Sequence, residues 1–422
     1  MQNNISRKLG QLRPGDLLVG VDPHKHKHAI ISMDQKAVVR TRFKVGNDRK
    51  GFEHLMMRVE QEAEKASASG LIFAIEAGGH YWRNLAYYLE EKGVAFRLIN
   101  PFTLKRSREG EDLNRRKNDY RDAIMAAELL RMGKFTETRL PKGDYAELRA
   151  LDRCHQRLKK EQAGAINLLR GLLDGLFPEF CRVFKDPTGQ SATSVLCSIP
   201  VPEAIASLSL QEFIGVVRSS HQGGRLAVGK LVSLHQLASV SVGVKPGALG
   251  VASEIGVLVE RLRLLATQIK QTERRLLELV GKLPEASYAL SIKGLSKLMV
   301  ARLIARIGPV ADYGNAKDLI KLAGTNPTQS ESAGKSRSHT PMSKKGRSDL
   351  RGLLWLAAMS LLRHNEEFKD WAKGLENRAA QANPLHRREV LGAAMNRLLR
   401  LYFALVTKTQ MYRPATTLAV AA

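Results

Sequence analysis

Apolar and β-branched residues run from Leu17 to Val21, broken only by Gly20, and stop at Asp22 and Pro23. That pattern predicts a buried strand ending on a carboxylate. His28 to Met33 repeats it, and Lys36 to Val45 places Ala37, Val39 and Phe43 between polar residues, with turn chemistry at Asp34. These read as two more strands in an antiparallel meander. From Gly51 to Ala66 the period changes: Phe52, Leu55, Met56, Val59 and Ala63 fall on one face, which predicts a helix. Leu71 to Ile75 is a further buried strand, followed at once by Glu76. Tyr81 to Glu91 reads as a helix, Val94 to Ile99 as a fifth strand, and Asp119 to Met132 as another helix.

The order is strand, strand, strand, helix, strand, helix, strand, helix, which is that of the ribonuclease-H-like (RuvC-like) α/β fold. In that fold the first and fourth strands are neighbours, so Asp22 and Glu76 would converge. Asp119 and Asp122, three apart on a helix, share a face. Four carboxylates at one point repel, each raising the pKa of the next unless a cation intervenes. A divalent metal site follows, and Mg²⁺ suits an all-oxygen set. Two such ions about 4 Å apart would stabilise the attacking and leaving oxygens of a phosphoryl displacement. Taken singly, each acid has a plainer reading as a turn former, a surface charge or, for Asp119, an N-cap.

Charge narrows the partner. The 422 residues carry 67 Lys plus Arg against 41 Asp plus Glu, a formal net charge of +26. Such an excess points to a polyanion, with nucleic acid the default. Lys105 to Lys117 concentrates it: Lys105, Arg106, Arg108, Arg115, Arg116 and Lys117 form a basic run, read as a loop that could hold a phosphate backbone beside the acids. Cys154, Cys181 and Cys197 lack CxxC spacing, which suits a reduced cytoplasm. No membrane-spanning run, amphipathic basic helix or lipidation signal is found, so a cytoplasmic protein, on the nucleoid when bound to DNA, is expected.

Beyond residue 140 the pattern turns helical. Leu148, Leu151, Leu158, Ile166, Leu169, Leu172 and Leu176 mark a long amphipathic helix from Tyr145. A second begins near Glu254 with a heptad series: Ile255, Leu262, Ile269 and Leu276 at one position, and Leu258, Leu265, Thr272 and Leu279 at the other. Such a seam either pairs the two helices within the chain or pairs two subunits in a homo-oligomer, a dimer or tetramer. Between them, 183–250 reads as an insertion, with short helices in Pro202 to Ser219 and Leu226 to Ala238. Leu290 to Ile307 is an apolar turn around Gly294 followed by a helix, read as a phosphate-meeting hairpin or as plain packing. Leu322 to Arg351 is rich in Ser, Gly, Lys and Arg, a flexible cationic loop between helical segments Lys317 to Ala323 and Asp349 to Leu362. Arg388 to Tyr402 is the closing helix.

Four stretches carry a resemblance: Gly-Val-Asp-Pro-His-Lys (20–25), Ile-Glu-Ala-Gly-Gly-His-Tyr (75–81), Leu-Ile-Asn-Pro (98–101) and Lys-Asn-Asp-Tyr-Arg-Asp-Ala (117–123). Together they resemble the DEDD-type insertion-sequence transposases related to the Piv site-specific DNA invertases. Gly78 and Asn118 depart from the hydroxyl residue and the Thr common in that family, and neither is a proposed ligand. The Ser-Gly loop also resembles that family's C-terminal domain, where such a loop carries a nucleophilic serine. The matching position is Ser332 after Glu331, although Ala333 intervenes before Gly334, and Ser330 and Ser336 lie close by.

The resemblance implies a ribonuclease-H-like DEDD domain at 15–140, a long-helix coiled-coil region at 141–283 and a helical transposase domain at 284–410. It implies Mg²⁺ on Asp22, Glu76, Asp119 and Asp122, Ser332 as nucleophile through a phosphoserine intermediate, and DNA recombination. Lys335, Arg337, Lys344 and Lys345 would supply cations for DNA. Some members of that family are guided by an element-encoded RNA, and under that likeness the positive charge serves RNA as well as DNA. Two other functions remain open on the residues: a Mg²⁺-dependent endonuclease of the Holliday-junction type, which needs no serine loop, and a non-catalytic nucleic-acid-binding protein whose acids are structural.

Overall fold

The computed structural model describes residues 2–111, 118–136, 140–221, 223–328, 331–332, 335–336, 341–379 and 386–414. The chain divides into two compact units, Met1–Leu140 and Pro141–Ala422.

The first unit runs α1 (Gln2–Leu9), β1 (Leu17–Asp22), β2 (Lys27–Met33), β3 (Val39–Gly46), α2 (Arg49–Lys65), β4 (Leu71–Glu76), α3 (Trp82–Glu91), β5 (Ala95–Ile99), α4 (Pro101–Glu111) and α5 (Asp119–Arg131). Its five strands form one mixed sheet ordered β3-β2-β1-β4-β5. β1–β2 and β2–β3 are antiparallel, whereas β1–β4 and β4–β5 are parallel. This is the order anticipated for a ribonuclease-H-like domain.

Strand alternation sorts the core into two layers. Val19, Val21, Phe73 and Ile75 pack against Phe52, Leu55, Leu85 and Leu89 of α2 and α3. Leu18, Ile72 and Ala74 face Ala123, Ala126, Ala127 and Leu130 of α5 on the opposite side. Because both faces are covered, β1 is buried along its whole length and reads as a continuous apolar run. Gly20 lets α5 come this close: a Cβ there would stand 1.9 Å from the Ala123 carbonyl oxygen. The small Ala residues of α5 and the missing side chain at Gly20 therefore bring the acidic start of that helix to the end of β1.

Two elements of this unit differ from the sequence reading. Lys105, Arg106 and Arg108 lie on helix α4 and not in a loop. The start signal is Asn100 followed by Pro101, and Asn100 Oδ1 accepts from the Phe102 amide at 2.9 Å. Helix α1 precedes the first strand, and its Lys8 ammonium donates to the Phe135 carbonyl.

The second unit is mostly helical. It contains α6 (Gly143–Leu176), α7 (Phe180–Val183), α8 (Gln190–Ser198), α9 (Pro202–Ala206), α10 (Leu210–Ser220), α11 (Val228–Ala238), α12 (Ala248–Val280), α13 (Pro284–Leu290), α14 (Lys297–Ile307) and α15 (Ala316–Ala323). A two-stranded ribbon, β6 (Glu331–Ser332) and β7 (Lys335–Ser336), precedes α16 (Ser348–His364), α17 (Glu366–Ala379) and α18 (Arg387–Thr407).

Helices α6 and α12 pack along their length. The heptad positions Ile255, Leu258, Leu262, Leu265, Ile269, Thr272 and Leu276 are buried and Leu279 is half-buried, so the seam packs inside one chain. One end of this pair shares a core with α8, α10 and α11, centred on Leu169, Leu173, Phe180 and Phe213. The insertion is thus a small helical cap on the long pair. At the other end Leu148 and Leu276 join a core built by α13 to α18 around Leu354, Phe368, Leu398 and Tyr402. The turn around Gly294 is docked on α16, where Ser360 and Asn365 donate to the Gly294 and Lys293 carbonyls at 2.7 and 2.9 Å. Helix α18 is long and apolar enough by composition to cross a membrane, yet Val390, Ala394, Met395, Leu398 and Tyr402 are buried in this core.

Candidate active site

The register brings the first two acids together. Val21 pairs with Ile75 across the parallel β1–β4 ladder, so Asp22 and Glu76 leave the sheet side by side. Asp22 is buried, only 5% exposed, and burial pushes its carboxyl above the usual range. The charges of Asp122 and Asp119 push the same way, while His24 opposes them.

Asp119 and Asp122 occupy the first turn of α5, where the helix dipole favours negative charge. Asn118 is the cap itself, its side chain accepting from the Tyr120 amide at 3.0 Å, which leaves the Asp119 carboxylate available for other partners. Asp119 is half-exposed and accepts from Lys44 Nζ at 2.7 Å, a bond that holds its carboxyl below the usual range. Asp122 is 3% exposed, and Arg108 on α4 donates to its Oδ1 at 2.5 Å.

His24 completes the group. Its Nε2 lies 3.0 Å from Asp22 Oδ2 and 3.5 Å from Asp119 Oδ1. Ligand atoms of Asp22, His24 and Asp119 all lie within 4.8 Å of one another, close enough for one cation to reach all three. Glu76 and Asp122 stand outside that tight group, Asp122 acting on Asp22 through its charge. Gly78 sits where a Cβ would come within 3.3 Å of Glu76 Oε1, so a side chain here would press on that carboxylate.

Behind the group, His28 anchors the segment. It is fully buried, stacks on Phe52 with centroids 5.8 Å apart, and accepts the His24 amide on Nδ1 at 3.2 Å. Burial pulls its pKa down to about 4, so the ring is neutral and can accept.

Of the basic residues singled out in the sequence, Lys105 lies 3.9 Å from Glu109 and Arg106 stacks over Phe102 at 4.4 Å. Arg115, Arg116, Lys117 and Arg337 fall outside the described residues. His24 and Lys44 carry no spacing signal in the sequence. His24 follows a proline in a turn, and Lys44 meets Asp119 only because β3 and the start of α5 approach one another in space.

In the second unit the Ser-rich stretch is a hairpin. Glu331 pairs with Ser336 and Ser332 with Lys335 across β6–β7. Its base is closed by the Pro327–Met342 bridge, by Ser343 donating to the Asn326 carbonyl at 2.8 Å and by Lys344 donating to the Gly324 carbonyl at 2.9 Å. Gly324 and Gly346 are in direct contact there, since a Cβ on Gly346 would lie 2.3 Å from the Gly324 nitrogen. Thr325 Oγ1 and Asn396 Oδ1, 2.6 Å apart, tie this base to α18. Lys344 and Lys345 are exposed at the same place.

Comparison with known proteins bears on both units. Residues 19–178 match the family model for the DEDD transposase of IS110, described as "Transposase", and residues 286–373 match the one described as "Transposase IS116/IS110/IS902 family". An insertion element IS116 protein of 44.8 kDa from Streptomyces clavuligerus is 23% identical over 407 residues, covering 94% of this chain and 96% of its own. A protein of Streptomyces coelicolor named for the transposase of the IS117 mini-circle is 23% identical over 391 residues, covering 87% and 91%. Both the acidic sheet end and the serine hairpin lie within the matched segments. The chain belongs to the IS116/IS110/IS902 family of insertion-sequence transposases and is a DNA-processing enzyme.

Proposed function

We propose that this transposase cuts and rejoins DNA with a divalent cation, Mg²⁺, held by Asp22, Glu76, Asp119 and Asp122, and with Ser332 as its nucleophile. The observation that carries the metal reading is the meeting of Asp22 and Asp119 within 4.8 Å at a carboxyl raised chiefly by its burial and further by its acidic neighbours. Burial together with like charge is relieved by a cation, and carboxylate oxygens suit a hard one. When bound, the cation would neutralise charge on the transferring phosphoryl group. His24 and Lys44 are polar partners that hold Asp22 and Asp119 in place before it arrives.

The chemistry of the serine is an exchange of esters. Ser332 Oγ bonds to the scissile phosphorus as the bond to one strand oxygen breaks, the serine proton leaving and the released strand end taking one up. Attack by a new strand end on the same phosphorus reverses the transfer and restores the hydroxyl. A serine needs neighbouring cations for this, and Lys335 is its register partner in the hairpin. The net charge of +26 suits binding of DNA and also of a guide RNA encoded by the element. Nucleic acid retained on the purified protein, digested by ribonuclease and not by deoxyribonuclease, is the expected mark of the latter.

Asp22→Ala is expected to abolish Mg²⁺-dependent cleavage of DNA carrying the element ends while leaving bulk DNA binding intact. Cleavage by this variant at the wild-type rate would remove the metal reading.

A further inference from the structure

Helix α6 carries Arg149, Asp152 and Arg153 at helical spacing, so the three share one face. Asp152 is buried and fully used. Its Oδ2 accepts from Arg306 Nε and Gln156 Nε2, both at 2.7 Å, and its Oδ1 accepts from Arg306 Nη2 and Arg302 Nε, both at 3.1 Å. Arg306 donates in addition to the Asp349 carbonyl, and Arg347 donates to the Arg306 carbonyl. One carboxylate thus serves two guanidiniums of α14, and none of it is left for a third.

Arg149, Arg153 and Arg347 have no carboxylate within ion-pair distance among the described residues. The Asp349 carboxylate acts on Arg149 and Arg347 through its charge, and its residue is exposed. Burial, followed by the charges of Arg347 and Arg153, pulls Arg149 down to about 10, and burial also lowers Arg347. Arg149 and Arg347 are half-buried and Arg153 is exposed at their side, and like charges partly withdrawn from water repel more strongly than they do in it. Guanidinium forks match phosphate oxygens two by two, and an anion here would reverse the repulsion. The position is also informative: the Arg347 amide donates to the Leu322 carbonyl at 2.7 Å, which puts the cluster at the foot of the serine hairpin.

We propose that Arg149, Arg153 and Arg347 form a binding site for a DNA backbone phosphate at the base of the serine hairpin. A phosphate seated there fixes where the duplex runs past the hairpin, independently of any metal or covalent step. Arg302 and Arg306, committed to Asp152, are the rigid backing of the site and not its ligands.

The test uses the full chain and a duplex DNA of mixed sequence, with affinity measured over a series of salt concentrations. For Arg149→Gln combined with Arg153→Gln, the slope of log affinity against log salt should become shallower by about 0.9 for each phosphate that is no longer neutralised. Arg149→Lys should keep most of the slope and still lose affinity, because it keeps the charge and loses the fork. Without DNA, the double variant should melt at or above the wild-type temperature, since repulsion is relieved. Arg49→Gln, which removes an exposed charge on α2, should leave the slope unchanged. An unchanged slope in the double variant, with or without a lower melting temperature, overturns the proposal and makes these arginines structural. So does an equal change with Arg49→Gln, or a loss confined to structured RNA. Absence of duplex binding by the wild type would overturn this proposal and the DNA reading together.

Discussion

Asp122 is held by one arginine, and in the proposed metal site a cation would be a second partner for the same carboxylate. Arg108→Ala strands a buried carboxylate and should cost on the order of 3 kcal/mol without divalent cation. Adding Mg²⁺ should then raise the melting temperature of this variant more than that of the wild type. Equal shifts in thermal unfolding would show that no cation reaches Asp122. His28 makes a separate claim about pH. Its folded pKa of about 4 lies below the ordinary value of 6.5, so its contribution is fully present above pH 6.5. It is lost as pH falls towards 4, because the unfolded chain then binds the proton more readily. Chemical denaturation should show stability declining over that window in the wild type, with a shallower decline in His28→Phe. Asp22 and Glu76 are legible in the sequence because strand order alone makes their strands neighbours. His24 is not, since a single histidine past a strand end has no periodicity to mark it.

At the scale of elements, long periodic segments are plain in the sequence and short ones are not. The α6 and α12 patterns span many turns, and both helices are present. Helix α4 reads as a loop because its only start signal, Asn100–Pro101, also suits a turn, and its charged residues hide the apolar Leu104 that anchors it. Helix α8, rich in Ser and Thr, gives no clear helical signal because those side chains compete for the backbone and are weak helix formers. The serine stretch reads as an open loop, since two-residue strands give no alternation and the closing contacts of Gly324 and Gly346 are tertiary. The heptad seam leaves two partners open in the sequence, and the chain supplies one of them itself. Leu276→Ala should therefore destabilise the protein by about 2–5 kcal/mol in equilibrium unfolding, as a core truncation does. A change in subunit association with unaltered unfolding would place that seam between chains.

For the whole molecule, the proposed function divides labour between a sheet that gathers acids and a helical unit that carries Ser332 and an arginine cluster with no ion-paired carboxylate among the described residues. Acids are scarce in a chain of net charge +26, yet Asp22, Asp119 and Asp122 are drawn together, and burial makes ionisation of Asp22 costly. That placement fits chemistry on a phosphate, with affinity supplied elsewhere by Lys and Arg. What separates the proposed recombination from simple cleavage is passage of the DNA strand through a bond to Ser332. Such a bond is detected by incubating the full-length protein with DNA bearing the element ends in Mg²⁺, denaturing the mixture, and mapping any protein–DNA adduct by mass spectrometry. A phosphodiester-linked nucleotide is expected on the peptide containing Ser332, present in Ser330→Ala and Ser336→Ala and absent in Ser332→Ala. Cleaved and rejoined DNA with no adduct, or an unaltered adduct in Ser332→Ala, would contradict the serine mechanism.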